Sequence, residues 1–549
     1  MEYRIRPRLI YLLILNAVFV IYLQTFSFPF HFDDASGIVD NVSIRALANF
    51  RPSWTAGGPL PGQRYVGMLS FALNYRLGGL NVLGYHMVNN AVHFINGILV
   101  LHLVLLTLDT PAMERPNQPS STASQPSSTV SAPELAVRWF MATAASLIFV
   151  AHPVQTQAVT YIVQRFTSLA TLFYLLSIIL YAKARLESQP TGPALGKRTA
   201  LFYAGSLVSA VLAMKTKEIS FTLPFVIALY EFVFFKDGWK KRFLYIFPFL
   251  LTLAIIPLSV IGAGVAGERP LANVFNDLAR PLYEKAVITR GVYLLTQTRV
   301  MVTYVRLLFL PVNQNLDYDY PLYGSFLEPG VFLSFLFLLS IIAAALYLFM
   351  RSRKTGNGHG LLISFGIFWF FITLSVESSV IPIKDVIFEH RLYLPGIGAI
   401  IAFTSCAFYA FERMKINMAV AATVLIATTV LPLGAAAYMR NRIWRDGLTL
   451  WSDVAAKSPA KARGHINLGH YYADAGRLDD AVREMKLAIR LKPSDAAAYY
   501  NLGVVYRDKG MVNDAIGEFK EALNMEPSHE KAKKALKSLS AFPGQAEGS

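Results

Sequence analysis

The sequence predicts an all-α membrane protein in which about eleven transmembrane helices precede a C-terminal solenoid of helical repeats. Three observations lead to this class. The 549 residues are 54% hydrophobic, with a mean hydropathy of +0.42. Apolar runs long enough to cross a bilayer recur from residue 9 to residue 438. The chain then becomes polar and repeats with a period of 34 residues.

Eleven apolar spans can be placed in the first part of the chain. They lie near 9–30, 84–106, 136–151, 166–184, 199–214, 219–235, 243–264, 329–350, 361–377, 394–411 and 417–438. Lys and Arg collect in short loops between them, which is typical of cytoplasmic loops. With the N-terminus in the cytoplasm, every such basic cluster lies inside and the C-terminus lies outside. This distribution explains much of the net charge of +16 without a nucleic-acid partner.

One further segment, 289–311, is nearly apolar enough to be a span but carries Arg290, Arg299 and Arg306. Charges at membrane depth are costly. Counting the segment as a span would also move the basic cluster that begins at Arg351 to the outside. We therefore predict an amphipathic helix that lies at the outer membrane interface.

Composition divides the chain into a membrane domain (1–445), a linker (446–461) and a repeat domain (462–540). The membrane domain has three long loops. They are a first outer loop (29–83), a cytoplasmic loop predicted to be disordered because it is rich in Pro, Ser and Thr (109–134), and an outer loop that carries the interfacial helix (265–328). The single cysteine, Cys406, makes an intrachain disulfide impossible.

The repeat domain shows the same residues at intervals of 34 positions. Asn467–Gly469 (NLG) recurs as Asn501–Gly503, and Pro493 recurs as Pro527. This period, with small residues where helices cross and a terminal proline, resembles the tetratricopeptide repeat. It predicts two repeats (462–495 and 496–529) and a capping helix (530–540). Because such solenoids bind many kinds of peptide and protein surface, the repeats alone leave the function open.

With this topology, the unusual polar motifs gather on the side of the membrane that carries the repeats. They are Asp33 and Asp34 after the first span, then His152, Gln155, Gln164 and Arg165, then Lys215, Lys217 and Glu218, then Asp317 and Asp319, and finally Glu377, Glu389, His390 and Arg391. The cytoplasmic loops hold only basic residues and low-complexity sequence. This asymmetry indicates one polar cavity that opens outward.

A carboxylate that faces a set of cations indicates transfer from a phosphate-bearing donor. Asp33 or Asp34 could take a proton from a hydroxyl nucleophile. The side chains predicted to hold the phosphate are Arg165, Lys215, Lys217, His390 and Arg391. Because cations stabilise the charge of a leaving lipid phosphate, this set suits a donor whose tail stays in the bilayer.

Structural roles account for parts of the same pattern. Lys215 and Lys217 have the placement of snorkelling side chains at the interface. The segment 389–391 has the composition of an ion-pair cluster, and the Tyr-rich loop that holds Asp317 and Asp319 suits a structural role. His86 and His93 lie on one helix face and are interpreted as packing residues. No convincing Cys, His and carboxylate spacing indicates a metal site.

The motifs in their order resemble a known family. They are the Asp33-Asp34 pair, HPVQTQAVTYIVQR (152–165), KTKE (215–218), RPLYEK (280–285), LPVNQNLDYDYP (310–321), VESSVIPIKDVIFEHRLYLP (376–395) and the tetratricopeptide tail. Together they resemble the transmembrane O-mannosyltransferases with tetratricopeptide repeats, which belong to the GT-C superfamily of multi-span glycosyltransferases.

The resemblance implies a donor sugar on polyprenyl phosphate, such as dolichyl- or undecaprenyl-phosphate mannose. It implies that Asp33 is the general base, that Asp34 supports it, and that attack by the acceptor hydroxyl inverts the anomeric carbon. Besides the phosphate-binding cations, the residues assigned to substrate binding are His152, Gln155, Gln164, Glu218, Asp317, Asp319, Glu377 and Glu389. No cofactor other than this lipid-linked donor substrate is predicted.

Two other functions remain open at this point. A non-catalytic scaffold would use the repeats to recruit envelope or secretory proteins, and a glycan transporter would need deep polar residues such as Glu231. The predicted partners are membrane lipid, the polyprenyl-phosphate sugar and an acceptor protein or glycan, with protein Ser or Thr favoured and no nucleic acid. The predicted location is a bacterial inner membrane, or the endoplasmic reticulum in a eukaryote, with a cytoplasmic N-terminus and extracytoplasmic repeats.

Overall fold

The computed structural model describes residues 6–50, 64–113, 132–188, 196–264, 288–378 and 382–540. All regular secondary structure in these ranges is helical, which confirms the predicted all-α class. The chain forms two compact units, one of Met1–Gln314 with Leu322–Arg442 and one of Asn315–Pro321 with Ile443–Ser549. The RPLYEK motif at 280–285 and most of the predicted disordered loop lie outside the described residues.

The main helices of the first unit follow the hydropathy pattern closely. They are α1 (Pro7–Tyr22), α2 (Tyr65–Gly78), α3 (Val82–Leu108), α4 (Ala132–Ala151), α5 (Arg165–Glu187), α6 (Lys197–Met214), α7 (Leu223–Phe234), α8 (Trp239–Leu251), α9 (Ile255–Gly264), α10 (Arg290–Phe309), α11 (Pro329–Thr355), α12 (Gly358–Leu374), α13 (Pro395–Arg413), α14 (Met418–Leu425) and α15 (Leu431–Asn441). Each predicted span coincides with one or two of these helices. Helix α2 was not predicted, because it lies inside the first outer loop.

Eight helical segments among the described residues are long and apolar enough to cross a membrane, so this is a multi-pass membrane protein. They are Pro7–Ser27, Val82–Leu108, Glu134–Ala151, Ile162–Glu187, Trp239–Ser259, Pro329–Thr355, Pro395–Arg413 and Met418–Trp444. Helix α12 is apolar but shorter. The number of eleven spans stays a prediction.

Helices α12 and α13 pack with their backbones in close contact. A Cβ atom built on Gly366 would lie 2.3 Å from the carbonyl oxygen of Gly398, and one built on Gly398 would lie 2.4 Å from that of Gly366. Small residues allow this approach, which favours helix association inside a bilayer. The described residues 382–394 therefore lead directly into one helix of a tightly packed pair.

His86 and His93, two of the three histidines of α3, are packing residues in the structure. His93 Nδ1 lies 2.7 Å from the hydroxyl of Tyr393, and its Nε2 lies 3.2 Å from the carbonyl oxygen of Val150. His86 Nε2 lies 3.0 Å from the carbonyl oxygen of Phe28. Both rings are buried and join neighbouring segments.

Glu231, the deep carboxylate that a transporter would need, pairs with buried groups of α5. It accepts hydrogen bonds from Nε of Arg185 at 2.8 Å and from the hydroxyl of Tyr181 at 2.7 Å. A paired carboxylate of this kind joins α5 to α7. The contacts therefore favour a structural role for Glu231.

The second unit consists of α16 (Gly447–Lys457), α17 (Ala462–Asp474), α18 (Leu478–Leu491), α19 (Ala496–Asp508), α20 (Val512–Met525) and α21 (Glu530–Ser540). The predicted linker is thus largely helical, because α16 packs on the first repeat helix. A Cβ on Gly447 would lie 2.1 Å from the ring of Tyr471, so only glycine allows this contact. Within the repeats, Gly469 and Gly503 take equivalent places against Met485 and Phe519.

The loop Asn315–Pro321 also belongs to this second unit. The carboxylate of Asp317 accepts hydrogen bonds from Nε and Nη2 of Arg463, both at 2.6 Å, and pairs with Lys461. The backbone N–H of Asp319 donates to Oγ of Ser458 at 2.8 Å. These two acidic residues therefore have partners inside the repeat unit.

Candidate functional site

The turn after α1 places the two adjacent aspartates in different environments. Phe32 has a φ of 49°, which is unusual for a residue other than glycine. The next residue, Asp33, is exposed, whereas Asp34 is 1% exposed. Asp34 accepts hydrogen bonds from the backbone N–H of His31 at 2.9 Å and of Val163 at 2.7 Å. Its carboxylate therefore joins this turn to the segment before α5.

Burial raises the pKa of the Asp34 carboxyl group to about 7, although the backbone N–H groups of His31 and Val163 act in the opposite direction. The backbone N–H of Asp33 donates to the hydroxyl of Tyr161 at 2.8 Å. Burial, together with the two aspartates, raises the pKa of Tyr161 well above its usual value, so this hydroxyl stays neutral. Asp34 and Tyr161 thus fix the backbone on which Asp33 lies.

Two ion pairs lie side by side near this turn. Arg64 donates to Glu218 from Nε at 3.0 and 3.2 Å and from Nη2 at 3.0 Å. Nζ of Lys217 lies 3.2 Å from Oε1 of Glu377 and donates to Oγ1 of Thr167 at 2.8 Å. The negative charges of Glu218, Glu377 and Asp33 all act on Arg64. The two pairs and Asp33 therefore form one charged cluster.

The two ion pairs differ in exposure. The side chains of Arg64 and Glu218 are 41% and 34% exposed, whereas those of Lys217 and Glu377 are 6% and 13% exposed. An exposed pair contributes about 0–1 kcal/mol, while removing one partner of a buried pair costs about 3–5 kcal/mol. Burial opposes the ionisation of Lys217 and lowers its pKa, which Glu377 partly offsets. The Arg64–Glu218 pair is consequently the easier one to open.

Arg64 was not among the residues predicted for the site. It lies just before α2, in a backbone conformation with a φ of 58°. The sequence gives only a weak signal for it: an arginine in a predicted outer loop is an exception to the positive-inside rule, but the loop 29–83 contains four arginines. Its contact with Glu218 joins the first outer loop to the KTKE turn.

His390 and Arg391 lie beside the same cluster. Arg391 donates from Nη1 to the carbonyl oxygen of Val386 at 2.9 Å and from Nη2 to that of Asp385 at 2.8 Å. Burial opposes its charge, but Tyr304 and Glu377 raise the pKa of Arg391. The positive charge of Arg391 thus interacts favourably with the carboxylate of Glu377.

His390 is held as a neutral ring. Burial first, and then the charges of Lys217, Arg391 and Arg64, hold its pKa well below the usual value. Its backbone N–H donates to Oε1 of Gln157 at 2.6 Å. A neutral imidazole contributes no charge to a phosphate site, so a predicted contact with phosphate would be a hydrogen bond only.

Helix α10 supports this segment from one face. The hydroxyl of Tyr293 donates to the carbonyl oxygen of Glu377 at 2.7 Å, that of Tyr304 donates to the carbonyl oxygen of Phe388 at 3.0 Å, and Nε2 of Gln297 donates to that of Val386 at 2.7 Å. Positions 293, 297 and 304 share one side of a helix. Helix α10, the predicted amphipathic helix, therefore holds the backbone at Glu377 and at two residues shortly before His390.

Arg165 belongs to the HPVQTQAVTYIVQR motif, but its guanidinium group is bonded to other protein groups. It is fully buried and donates from Nε to Oδ1 of Asn89 at 2.6 Å, from Nη1 to Oδ1 of Asn74 at 2.5 Å and from Nη2 to the carbonyl oxygen of Tyr85 at 2.9 Å. The guanidinium also lies 4.6 Å from the centre of the Phe71 ring. All three nitrogens serve to join α2, α3 and α5.

Among the other predicted residues, Gln164 borders the cluster, because its partner Thr167 also accepts from Lys217. Lys215 and His152 have partners elsewhere. Nζ of Lys215 donates to Oγ of Ser259 at 2.5 Å, and Oε1 of Gln164 accepts from Thr167 at 3.2 Å. His152 accepts at Nδ1 from the backbone N–H of Val154 at 3.2 Å, with Nε2 2.9 Å from the carbonyl oxygen of Leu308. Burial lowers the pKa of His152 to about 4.

Two further residues of the predicted set are buried: Gln155 of the HPVQTQ segment and Glu389 of the EHRL segment. Oε2 of Glu389 accepts a hydrogen bond from Nε2 of Gln314 at 2.7 Å. Gln155 is fully buried, and neither atom of its amide group has a hydrogen-bond partner within the described structure. Among the described residues, no group of three or more His, Cys, Asp or Glu side chains could hold a metal ion.

Comparison with protein families identifies the C-terminal helices. One tetratricopeptide-repeat model matches residues 469–510 and a second matches residues 496–529. Both matches fall on the helices that carry the 34-residue period. The predicted tetratricopeptide solenoid is confirmed.

Curated relatives extend the comparison to most of the chain. A protein O-mannosyl-transferase of Caenorhabditis elegans is 26% identical over 503 residues, which are 88% of this chain and 63% of the relative. The human protein O-mannosyl-transferase TMTC4 is 23% identical over 505 residues, which are 85% of this chain and 64% of the relative. This chain resembles the protein O-mannosyl-transferases. It spans less than two thirds of the length of these two.

Among solved structures, the crystal structure of ArnT from Cupriavidus metallidurans bound to undecaprenyl phosphate covers 94% of this chain and 79% of its own, at 13% sequence identity and a TM-score of 0.42. The O-mannosyl-transferase resemblance inferred from the motifs is confirmed by the curated relatives.

Proposed function

We propose that this protein is a membrane glycosyltransferase that moves a sugar, mannose or a similar hexose, from a polyprenyl-phosphate donor to a hydroxyl group. The observation that carries the proposal is the placement of Asp33, an exposed carboxylate, beside a cluster that holds Arg64, Lys217 and Arg391. A base and a set of cations in one site are what this reaction needs. The names of the relatives and their similarity over most of the chain support the choice of sugar transfer.

In the proposed mechanism, Asp33 accepts the proton of the acceptor hydroxyl as its oxygen attacks the anomeric carbon. The bond from that carbon to the phosphate oxygen breaks, and the lipid phosphate leaves with its negative charge. Arg64 binds the phosphate oxygens, and Lys217 and Arg391 stabilise the same charge at longer range. Attack opposite the leaving group inverts the configuration of the sugar carbon.

Asp34 has a supporting role in this proposal. Because both of its oxygens accept backbone N–H groups, it fixes the turn that presents Asp33 and does not itself take the proton. Arg165 and Lys215 are left out of the phosphate contacts, since their side chains bond to other parts of the first unit. Asp317 and Asp319 are likewise left out of the donor site, because Asp317 pairs with Arg463 and Lys461 and the backbone of Asp319 is bonded to Ser458.

The acceptor is proposed to be protein Ser or Thr on the extracytoplasmic or luminal face, and the tetratricopeptide repeats are proposed to bind that protein. Solenoids of this kind present extended surfaces that suit peptide segments. A scaffold without enzymatic activity is the alternative. In that case the repeats alone would carry the function, and changes at Asp33 would have no effect.

The test compares Asp33→Asn with Asp40→Asn in cells that lack the endogenous protein. Asp40 is an exposed carboxylate in the same loop and serves as the matched control. Mass spectrometry of Ser- and Thr-linked hexose on envelope or secretory proteins is expected to show these peptides with wild type and with Asp40→Asn. They are expected to be absent with Asp33→Asn at equal membrane abundance. Full modification with Asp33→Asn would contradict the proposal.

A further inference from the structure

The charges of the candidate site are balanced before any donor is bound. Among the described residues of the cluster, the cations Arg64, Lys217 and Arg391 stand against the carboxylates of Asp33, Glu218 and Glu377. A donor phosphate would add negative charge to this balanced set. Its binding meets less charge repulsion if one cation exchanges a carboxylate for the phosphate.

Exposure decides which cation can make the exchange. Lys217 is held in a buried pair with Glu377 and donates a further hydrogen bond to Thr167. Arg391 is committed to two backbone carbonyl groups. The Arg64–Glu218 pair is partly exposed, at 41% and 34% of its two side chains, so opening it leaves less buried charge without a partner than opening the Lys217–Glu377 pair would.

The geometry of this pair also matches the incoming ligand. Glu218 accepts from Nε and Nη2 of Arg64, which form one edge of the guanidinium group. A phosphate binds arginine through the same kind of paired N–H donors. Glu218 and a phosphate would thus compete for the same two atoms.

We propose that Glu218 is a placeholder anion, which holds Arg64 in the unoccupied site and gives it up to the phosphate of the donor. This inference rests on the proposed function and adds a role for a residue of the same site. The competition lowers the affinity for every phosphate ligand. Ligands that cannot offer two oxygens to Arg64 are excluded, so Glu218 contributes to donor selection.

The experiment measures binding of farnesyl phosphate, a soluble prenyl phosphate, to the purified full-length chain by calorimetry. Glu218→Gln removes the competing charge and is expected to tighten binding about two- to fivefold. Glu218→Asp, whose shorter carboxylate holds Arg64 less well, is expected to give a smaller gain. Arg64→Gln is expected to weaken binding. Glu187→Gln, which removes a second exposed ion pair with Arg198, is the matched control and is expected to leave the affinity unchanged.

The double variant Arg64→Gln/Glu218→Gln separates exchange from a general charge effect. If Glu218 competes for Arg64, the gain from Glu218→Gln vanishes when Arg64 is absent. A gain that persists in the double variant, or equal or weaker binding by both Glu218 variants, would overturn the inference while leaving the proposed function in place. A wild-type protein that binds no prenyl phosphate would overturn the proposed function and this inference with it.

Discussion

The carboxylate of Asp34 and the backbone N–H of Val163 are joined by a hydrogen bond of 2.7 Å across 129 positions of the sequence. A second bond, from the backbone N–H of His31, reaches the other oxygen of the same carboxylate. One aspartate thereby aligns its neighbour with a distant segment. The two adjacent aspartates therefore differ: Asp34 is buried and supports the turn, whereas Asp33 is exposed.

Replacement of Asp34 by Asn is expected to lower both stability and sugar transfer. The amide group keeps one acceptor oxygen but turns an N–H donor toward a backbone N–H group, and a buried unsatisfied group of this kind costs about 1–3 kcal/mol. We expect a lower thermal unfolding midpoint in detergent for Asp34→Asn and no change for Asp40→Asn. Equal unfolding midpoints for the two variants would contradict the positioning role.

The raised pKa of Asp34 predicts a dependence of stability on pH. An unfolded Asp releases its proton near pH 4, whereas the folded protein keeps this proton up to about pH 7. The folded state thus binds more protons in this window, so its stability falls as pH rises from about 4 to about 7. Thermal unfolding at pH 5, 6, 7 and 8 is expected to show a shallower decline for Asp34→Asn than for wild type. Asp40→Asn is expected to follow wild type.

Replacement by Lys is expected to affect different properties at Arg165 and Arg64: stability at Arg165 and phosphate binding at Arg64. A lysine cannot reproduce the three-directional contacts of the buried Arg165 guanidinium, so Arg165→Lys leaves Asn74 and Asn89 unsatisfied. We expect a loss of more than about 3 kcal/mol and little monodisperse protein by size-exclusion chromatography. Arg64→Lys is expected to fold normally and to bind farnesyl phosphate more weakly. A stable Arg165→Lys protein with only weakened phosphate binding would favour the original assignment of Arg165.

Asp317 is expected to stabilise the repeat unit. Its side chain is 1% exposed and faces two cations, Arg463 and Lys461. Asp317→Asn is expected to destabilise the unit by about 1–3 kcal/mol and to speed limited proteolysis of the full-length chain within residues 443–540. Lys492→Gln, which removes an exposed pair with Asp495, is the control and is expected to change proteolysis little. Unchanged proteolysis of Asp317→Asn would make this residue available for substrate.

Much of this architecture is predictable from the sequence because its strongest signals are periodic. Apolar runs of bilayer length locate the membrane helices, and a 34-residue period locates the solenoid. Helix α2 is not predicted because, at 14 residues, it is too short to give the signal of a membrane span.

The division of labour within the site is less predictable. Asp33 and Asp34 are identical in type, and the difference between them is that only Asp34 is buried against the backbone N–H groups of His31 and Val163. Arg165 has the sequence context of a phosphate ligand, but its three protein partners lie 76, 80 and 91 positions earlier in the chain. Arg64 stands alone, without a motif. Such tertiary contacts are not encoded in local patterns.

The inclusion of Asn315–Pro321 in the repeat unit constrains how the chain is threaded through the bilayer. Because this loop packs with residues after Ile443, both ends of the intervening segment emerge on one side, and the chain between them crosses an even number of times. Helices α11 and α13 and the segment Met418–Trp444 are three candidate crossings by length and composition, so we infer that the short helix α12 supplies the fourth. The Lys217–Glu377 contact imposes the same parity on 218–376. There the predicted spans 219–235, 243–264, 329–350 and 361–377 give four, and a crossing by α10 would make five. Contacts between distant parts of the chain thus require an even number of membrane crossings between them, and this condition can be set beside the spans that hydropathy proposes.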